Sequence, residues 1–329
     1  MPSTSKRSFW NIFIRTLIVG ALGYAIYRQV FAREDAAALW DTFRARFTGV
    51  YLGWLFLAVL LVPVNWLLET IKWRRLVRGF VRFSLLKTYA AILAGLALGL
   101  FTPSRIGEYG GRAILVEAEH NWRSVVATFV GNLAQLIVLL VGGVLGSLWF
   151  FRTVYPLEPG AFWGLFVAAV GVILFLLLLY FRMEHALPLL KQRLPDRWTR
   201  WLTQLDQLRH YTPSELGVAF ALSALRYGVF TGQYFLLLKF YGIPVDYPTA
   251  MAGVATIFLL HSGLPFPPVV ELLARGEIAL FVWGNFSDAD LNILATTYTL
   301  FILNLAVPAL LGAAVIVRTD VLKSFGYEK

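Results

Sequence analysis

The sequence predicts an all-α polytopic membrane protein with six full spans and two oppositely oriented re-entrant helical hairpins, arranged as an inverted pseudo-repeat. Hydrophobic residues occupy 58% of the 329 positions, and the mean hydropathy is +0.68, whereas soluble domains contain about 45–50% apolar residues. Six apolar runs are long enough to cross a bilayer, and two shorter runs each stop at a polar motif that contains proline. We therefore expect one transmembrane domain over residues 1–329.

The predicted spans are runs of mostly apolar residues, since about 20 such residues cross the hydrocarbon core as a helix. They cover residues 9–30, 50–71, 124–151, 161–181, 216–238 and 291–317. No small-residue cleavage site follows the first run, so we expect it to be retained as a span.

Two basic segments determine how the shorter runs, residues 85–101 and 249–264, are placed. The segments lie at about residues 72–87 and 182–213, and the first contains Lys72, Arg74, Arg75, Arg78, Arg82 and Lys87 without an acidic residue. Basic loops face the cytoplasm, and both can do so only if residues 85–123 enter and leave on the cytoplasmic side. The same count makes residues 249–285 a hairpin from the outside and places both termini in the cytoplasm.

The charge and the residue usage exclude several function classes. The net charge of +10 would suggest nucleic acid in a soluble chain, but the basic residues here lie between apolar runs, as membrane topology requires. Cysteine is absent, and the four histidines show no metal-ligand spacing. No nucleotide-binding or nucleophile motif is present. We therefore expect no metal, no cofactor, no catalytic residue and no nucleic-acid partner.

Both interrupted runs contain candidate helix breaks. Thr102 is a good N-cap with Pro103 at the first helical position, so a half-helix is predicted to begin there. Pro267 or Pro268, after Pro265, could start another. The N-terminus of a half-helix carries unpaired N–H groups and suits an anion such as phosphate. The alternative is a structural kink or cap.

An acid followed by an arginine four residues later occurs after each break. Glu108 and Arg112 form the first pair, and Glu271 and Arg275 form the second. This echo supports an inverted repeat, and chance spacing is the alternative explanation.

Arg226 is the sharpest single candidate, because it lies about 12 positions into its span and hence roughly 18 Å deep. A central arginine should face the protein interior and have a partner, for which we expect Glu108 or Glu271. Arg226 could bind a headgroup phosphate, since guanidinium binds phosphate bidentately, or it could be part of a purely structural ion pair.

Further polar residues complete the predicted site. Candidate phosphate ligands besides Arg226 are Arg105, Arg112 and Arg275, and Glu108 and Glu271 would hold them in place or bind a cationic headgroup. Side chains expected to line a cavity, or else to form interhelical hydrogen bonds, are Asn65, Glu69, Asn132, Gln135, Gln233, His261 and Asn304.

The motif FTPSRIGEYGGRA at residues 101–113, preceded by NWLLETIKWRRL at residues 65–76, resembles the lysylphosphatidylglycerol synthase transmembrane-region family. The matching positions are Pro103, Arg105, Gly107, Glu108 and Arg112. That family includes the flippase half of the bacterial multiple peptide resistance factor, so the resemblance implies lipid translocation. The second motif, PFPPVVELLARGE at residues 265–277, departs from the family pattern and leaves open whether Glu271 or Glu277 is the family's glutamate.

The sequence therefore predicts a flippase-like transporter of a phospholipid or lipid-linked substrate in the bacterial inner membrane, and not an enzyme. The soluble aminoacyl-transfer domain of the family's bifunctional members is missing, so lysyl-lipid synthesis is not expected. One alternative is a membrane enzyme that uses Glu108 and Glu271 on a lipid-linked substrate. Another is a non-transporting partner of a lipid or glycan synthase. The substrate lipid, the energy coupling and the oligomeric state stay open.

Overall fold

A computed structural model describes residues 34–100, 102–155, 158–185, 208, 210–262 and 268–319, together with scattered positions between residues 12 and 28. The predicted span at residues 9–30 and the predicted basic loop at residues 182–213 thus lie largely outside the described residues, as do Pro265 and Pro267. Every regular element in the described part is a helix.

Eleven α-helices lie in the described residues. Their bounds are α1 Ala36–Ala45, α2 Tyr51–Val77, α3 Leu85–Leu100, α4 Gly107–Ala113, α5 Asn121–Val154, α6 Pro159–Phe181, α7 Pro213–Tyr241, α8 Tyr247–Ser262, α9 Pro268–Trp283, α10 Asp290–Phe301 and α11 Val307–Arg318. Short 3-10 turns cover Pro103–Arg105 and Ala118–His120, and a π-helical segment, Ile302–Ala306, joins α10 to α11.

Four helical stretches in the described residues are long and apolar enough to cross a membrane. They are Tyr51–Val77, Ala118–Val154, Pro159–Phe181 and Asp290–Arg318. Helix α7 is also long, with 29 residues, but it carries charged and polar side chains and packs along α2 inside the bundle. Helix α6 has apolar side chains exposed over most of its surface, among them Val167, Phe175 and Leu178, as expected for a helix that contacts lipid.

Helices α3 and α4 form the first antiparallel hairpin. The backbone of Gly95 lies against the side chain of Arg112, and Gly99 lies against Glu108, so the two helices run past each other in opposite directions. Gly107 is required at the turn, because a Cβ atom there would collide with the carbonyl of Leu98.

Helices α8 and α9 form the second antiparallel hairpin. Gly253 contacts the Trp283 ring near the open end, and His261 approaches Glu271 near the tip. Pro268 is the first residue of α9, as the sequence suggested for one of the two adjacent prolines. The first hairpin packs on α11 and the second on α5 and α10.

Two local predictions are wrong in detail. The returning half-helix does not start at Pro103, which opens a 3-10 turn, but at Gly107. Thr102 acts across this turn, where its Oγ1 accepts a hydrogen bond from the Gly107 N–H at 2.8 Å and contacts the Leu98 carbonyl at 3.1 Å. Ser104 and Arg105 adopt left-handed backbone angles, with φ of 50° and 56°, so the chain bends too sharply for a helix to begin earlier.

The first basic loop is shorter than predicted. Helix α2 continues to Val77 and α3 begins at Leu85, so residues 78–84 form the connection. Lys72 is not a loop residue at all, since it lies on α2 with only 1% of its surface exposed.

Candidate functional site

Glu69, on α2, is the centre of a buried charge cluster. Its carboxylate lies 2.7 Å from Lys72 Nζ, 3.0 Å from Arg112 Nη1 and 3.3 Å from Arg226 Nη1. The side chain of Glu69 is 1% exposed, so one carboxylate compensates three cations contributed by α2, α4 and α7. A buried carboxylate needs such partners, because its desolvation is otherwise very costly.

Arg226 is fixed by neutral groups as well as by charge. Its Nε donates to Asn65 Oδ1 at 2.9 Å, and its Nη1 donates to Gln135 Oε1 at 3.4 Å. The guanidinium also lies over the Trp66 ring, 4.9 Å from its centroid, where the negative face of the ring attracts the cation. Three helices, α2, α5 and α7, therefore set the position of this one side chain.

The ion-pair partner of Arg226 differs from the expected one. We expected Glu108 or Glu271, whereas the carboxylate in contact is Glu69. The physical reason is that α7 packs along α2, which places Glu69 beside Arg226, while Glu108 and Glu271 each have an arginine of their own.

The tip of the first hairpin carries a second carboxylate between two arginines. Glu108 lies 3.4 Å from Arg112 Nη2 and 3.6 Å from Arg105 Nη1. Arg112 thereby links this pair to the Glu69 cluster. The Arg105 side chain is 34% exposed, and the left-handed turn directs it into a cavity.

The second hairpin repeats this arrangement, with a carboxylate between one arginine and one histidine. Glu271 Oε1 lies 2.7 Å from Arg275 Nη2 and 3.8 Å from His261 Nε2. Both Glu–Arg pairs that the sequence repeats are thus formed, one on each returning helix. All three of these side chains border the same cavity as Arg105.

The cavity has a charged side and an apolar side. Its volume is about 480 Å³, and it adjoins a second cavity of about 360 Å³ at the first hairpin. Both are lined by Ser104, Arg105, Gln135, Leu136, Leu139 and Arg226. The larger one is completed on the charged side by His261, Glu271 and Arg275, and on the apolar side by Phe230 and Phe258.

Positive charge exceeds negative charge in the cluster around these cavities. The cations are Lys72, Arg105, Arg112, Arg226 and Arg275, and the carboxylates are Glu69, Glu108 and Glu271. Five cations against three anions leave two positive charges without a matching carboxylate inside the cluster. Such a site attracts an anion.

A family model for the lysylphosphatidylglycerol synthase TM region matches residues 12–312. The chain belongs to this family. It is accordingly a membrane protein, and membership of the TM-region family is consistent with a role in lipid metabolism. No curated protein and no solved structure matches the chain.

In this family member, Arg105, Gly107 and Glu108 of the first motif lie together at the hairpin tip described above. In the variant second motif, Glu271 pairs with Arg275 and faces the cavity, whereas the side chain of Glu277 is exposed on α9. Glu271 therefore occupies the place that corresponds to Glu108 in the first hairpin.

The polar residues predicted to line a cavity fall into three groups. Asn132, Gln135 and His261 line one or both cavities. Asn65 and Glu69 lie behind the cavity wall and hold Arg226, and Asn65 Nδ2 donates to Asn304 Oδ1 at 2.9 Å. Gln233 lies apart from them, where its Nε2 donates to the Ala58 carbonyl at 2.9 Å.

Sequence reasoning missed Lys72, Trp66 and Tyr227. Lys72 stands three residues after Glu69, a spacing that places both on one helix face, but its position among other basic residues concealed this. Trp66 and Tyr227 each line one of the cavities, and their Nε1 and Oη atoms are buried without a hydrogen-bond partner among the described residues. No sequence pattern indicated that these two atoms would be left in that state.

Proposed function

We propose that this family member is a flippase-like transporter that moves a phosphate-bearing lipid between the leaflets of a bacterial inner membrane. One observation carries the proposal: the tips of both hairpins and Arg226 border one cavity that is cationic on one side and apolar on the other. A phospholipid has the same division, with a charged headgroup and apolar chains. The family supports a role in lipid metabolism.

The proposal includes a topology of six spans and two re-entrant hairpins, with both termini in the cytoplasm. The four long apolar helices and α7 support five of the spans. The antiparallel contacts of α3 with α4 and of α8 with α9 support the hairpins, because the second helix of each pair returns the chain to the side of the membrane from which the first helix entered. Proline-interrupted segments that meet at the midplane mark the substrate site in many transporters.

The phosphate would be bound by the arginines that face the cavity, namely Arg105, Arg226 and Arg275. Guanidinium groups bind phosphate oxygens in pairs, and the excess of positive charge favours an anion.

The lipid chains would remain in the bilayer while the headgroup occupies the cavity. Leu136 is 43% exposed and Leu139, Phe230 and Phe258 continue the apolar wall, so acyl chains meet a hydrocarbon surface along the path. Movement of the two hairpins relative to each other would then turn the site from one leaflet to the other.

We further propose that Glu108 and Glu271 position arginines and do not act as acid and base. Each carboxylate contacts an arginine on its own helix, at 3.4 Å and 2.7 Å respectively. Each contact fixes the direction in which the guanidinium points, as expected for a positioning residue.

Translocation in proteoliposomes tests the proposal. The purified chain is reconstituted with a phospholipid labelled on its headgroup, and the label exposed on each leaflet is followed over time. Arg226→Ala and Glu108→Ala should slow the exchange at least ten-fold, because one removes a phosphate ligand and the other releases Arg105 and Arg112.

Arg152→Ala is the matched control, since Arg152 lies at the far end of α5 over the Phe162 ring and should leave the rate unchanged. Equal rates for wild type and for a folded Arg226→Ala variant would refute transport through this site. Formation of a lipid product by the protein in detergent, where no leaflets exist, would favour the enzyme. Copurification with a synthase in the absence of any translocation would favour a partner subunit.

A further inference from the structure

A second basic site lies at the end of α2, away from the central cavity. Arg74, Arg75, Arg78 and Arg82 surround a cavity of about 670 Å³ whose remaining lining is Ile71, Val81 and Phe83. We call this cavity the arginine basin. We propose that the arginine basin binds the headgroup of an anionic lipid that carries two phosphate groups, such as a bis-phosphodiester or a lipid diphosphate.

The basin and the central cluster occupy opposite faces of one helix. Glu69, Lys72 and Trp73 are buried against other helices. The outer face is formed by Ile71, Arg74, Arg75 and Arg78, because the adjacent Arg74 and Arg75 both lie three or four positions from Ile71 and from Arg78. The basin is therefore not a part of the translocation site, and the proposal goes beyond the transport function.

The charge of the basin is unbalanced within the described residues. All four arginines are exposed, no carboxylate lines the cavity, and none of the four forms an ion pair with a described acidic residue. Like charges three and four positions apart repel one another on a helix. An anion with two or more charges would relieve this repulsion.

The membrane topology alone does not explain the concave shape of the arginine basin. The positive-inside rule requires basic residues in the loop but no concave site. Here the connection folds back so that Arg74 Nε donates to the Phe83 carbonyl at 3.0 Å, which fixes one guanidinium and brings Arg82 opposite the helix. All four cations are arginines, the residue that binds phosphate oxygens in pairs, and four guanidinium groups match two phosphates.

The apolar part of the basin lining indicates that the phosphate groups belong to a lipid. Ile71, Val81 and Phe83 give the basin an apolar lining, which a soluble polyphosphate would not use. Helix α2 has 27 residues and is about 40 Å long at 1.5 Å per residue, roughly 10 Å more than the hydrocarbon core. Its last turns therefore reach the headgroup layer, where basic pockets bind anionic lipids.

Binding to the purified, delipidated full chain in detergent tests the proposal. Cardiolipin, phosphatidylcholine and inorganic diphosphate are titrated separately, and the ligand-dependent rise in melting temperature gives each apparent affinity. We expect cardiolipin to bind at least ten-fold more tightly than either of the others. The double variant Arg75→Gln/Arg78→Gln should weaken cardiolipin binding at least ten-fold.

The control is Arg123→Gln/Arg318→Gln, which removes two exposed arginines from the side of the membrane on which we place the basin, and should change the affinity less than three-fold. An equal loss in both double variants would overturn the proposal in favour of general surface charge. Binding of inorganic diphosphate as tight as that of cardiolipin would overturn the lipid assignment.

The variant Arg75→Lys/Arg78→Lys covers the case in which the glutamine variant does not fold. It keeps both charges but loses bidentate binding, so cardiolipin should bind at least three-fold more weakly. An unchanged affinity in this variant would contradict a built phosphate site.

Discussion

Replacing Glu69 with glutamine removes the carboxylate that three cations share. Arg112 would still contact Glu108 and Arg226 would still donate to Asn65. Lys72 would retain neutral acceptors alone among the described residues, the Gly131 carbonyl at 3.1 Å and Ser223 Oγ at 3.3 Å. A buried ion pair that loses one partner costs about 3–5 kcal/mol. We expect the free energy of unfolding to fall by about that amount.

The assay is unfolding in mixed micelles at increasing mole fractions of a denaturing detergent, with Glu277→Gln as the control. Glu277 is an exposed glutamate on α9, so its replacement should change the free energy of unfolding by less than about 0.5 kcal/mol. The double variant Glu69→Gln/Lys72→Met removes an anion and a cation together. It should recover at least about 1 kcal/mol relative to Glu69→Gln, since contacting residues couple by about 0.5–3 kcal/mol.

A Glu69→Gln variant within about 1 kcal/mol of wild type would refute this reasoning. The carboxylate would then not be the group that compensates the buried cations. A double variant that is less stable than Glu69→Gln would refute the pairing with Lys72 in particular.

Three further predictions follow from the hairpins and the cavity. Gly107→Ala should destabilise the chain by about 1–3 kcal/mol, because the added methyl group collides with a carbonyl. Gly110→Ala is the control, since the space around Gly110 is open and the substitution should not destabilise the chain. Thermal unfolding compares the two variants, and equal melting temperatures would contradict the tight turn. The chain contains no cysteine, so single cysteines can report the side of the membrane. Ala118→Cys should react with a membrane-impermeant thiol reagent from the cytoplasm, and Ala289→Cys should react from the outside. Labelling of Ala118→Cys from the outside would show that the first hairpin enters the membrane from the opposite side. Leu139→Trp should narrow both cavities, which Leu139 lines, and slow lipid exchange at least ten-fold with little loss of stability. A normal rate would show that the lipid takes another path.

The sequence was sufficient to predict that a proline motif separates the two helices of each pair, because each motif follows an apolar run that is too short to cross a bilayer. The side from which each pair enters the membrane, argued from the charge of the flanking loops, stays a prediction. The depth of Arg226 in the membrane, calculated from the constant rise of a helix per residue, stays a prediction.

The partners of Arg226 could not be predicted, because they depend on which helices pack together. Glu69 is far from Arg226 in the chain, and only the packing of α7 along α2 brings them into contact. The same limit explains the misplacement of Lys72, since a count of charges along the sequence does not distinguish the two faces of α2.

The start of the returning half-helix was predicted wrongly for a local reason. Thr102 and Pro103 together are a strong helix-start signal. The signal was overridden by the close approach of the two helices, which requires Gly107 at the turn and forces Ser104 and Arg105 into left-handed angles.

The π-helical segment Ile302–Ala306 shifts the phase of the last membrane helix. It inserts extra backbone within that helix, so residues before and after it point in directions that one continuous α-helix could not give. Asn304 inside the segment reaches Asn65, while Gly312 beyond it lies against the Leu93 carbonyl of the first hairpin. Inserting an alanine between Ala309 and Leu310, in the regular helix beyond the π-helical segment, would rotate Gly312 by about 100° and bring the larger side chain of Leu311 against that carbonyl. A melting curve of the insertion variant should therefore show a loss of stability that the insertion of an alanine at an exposed terminus would not cause.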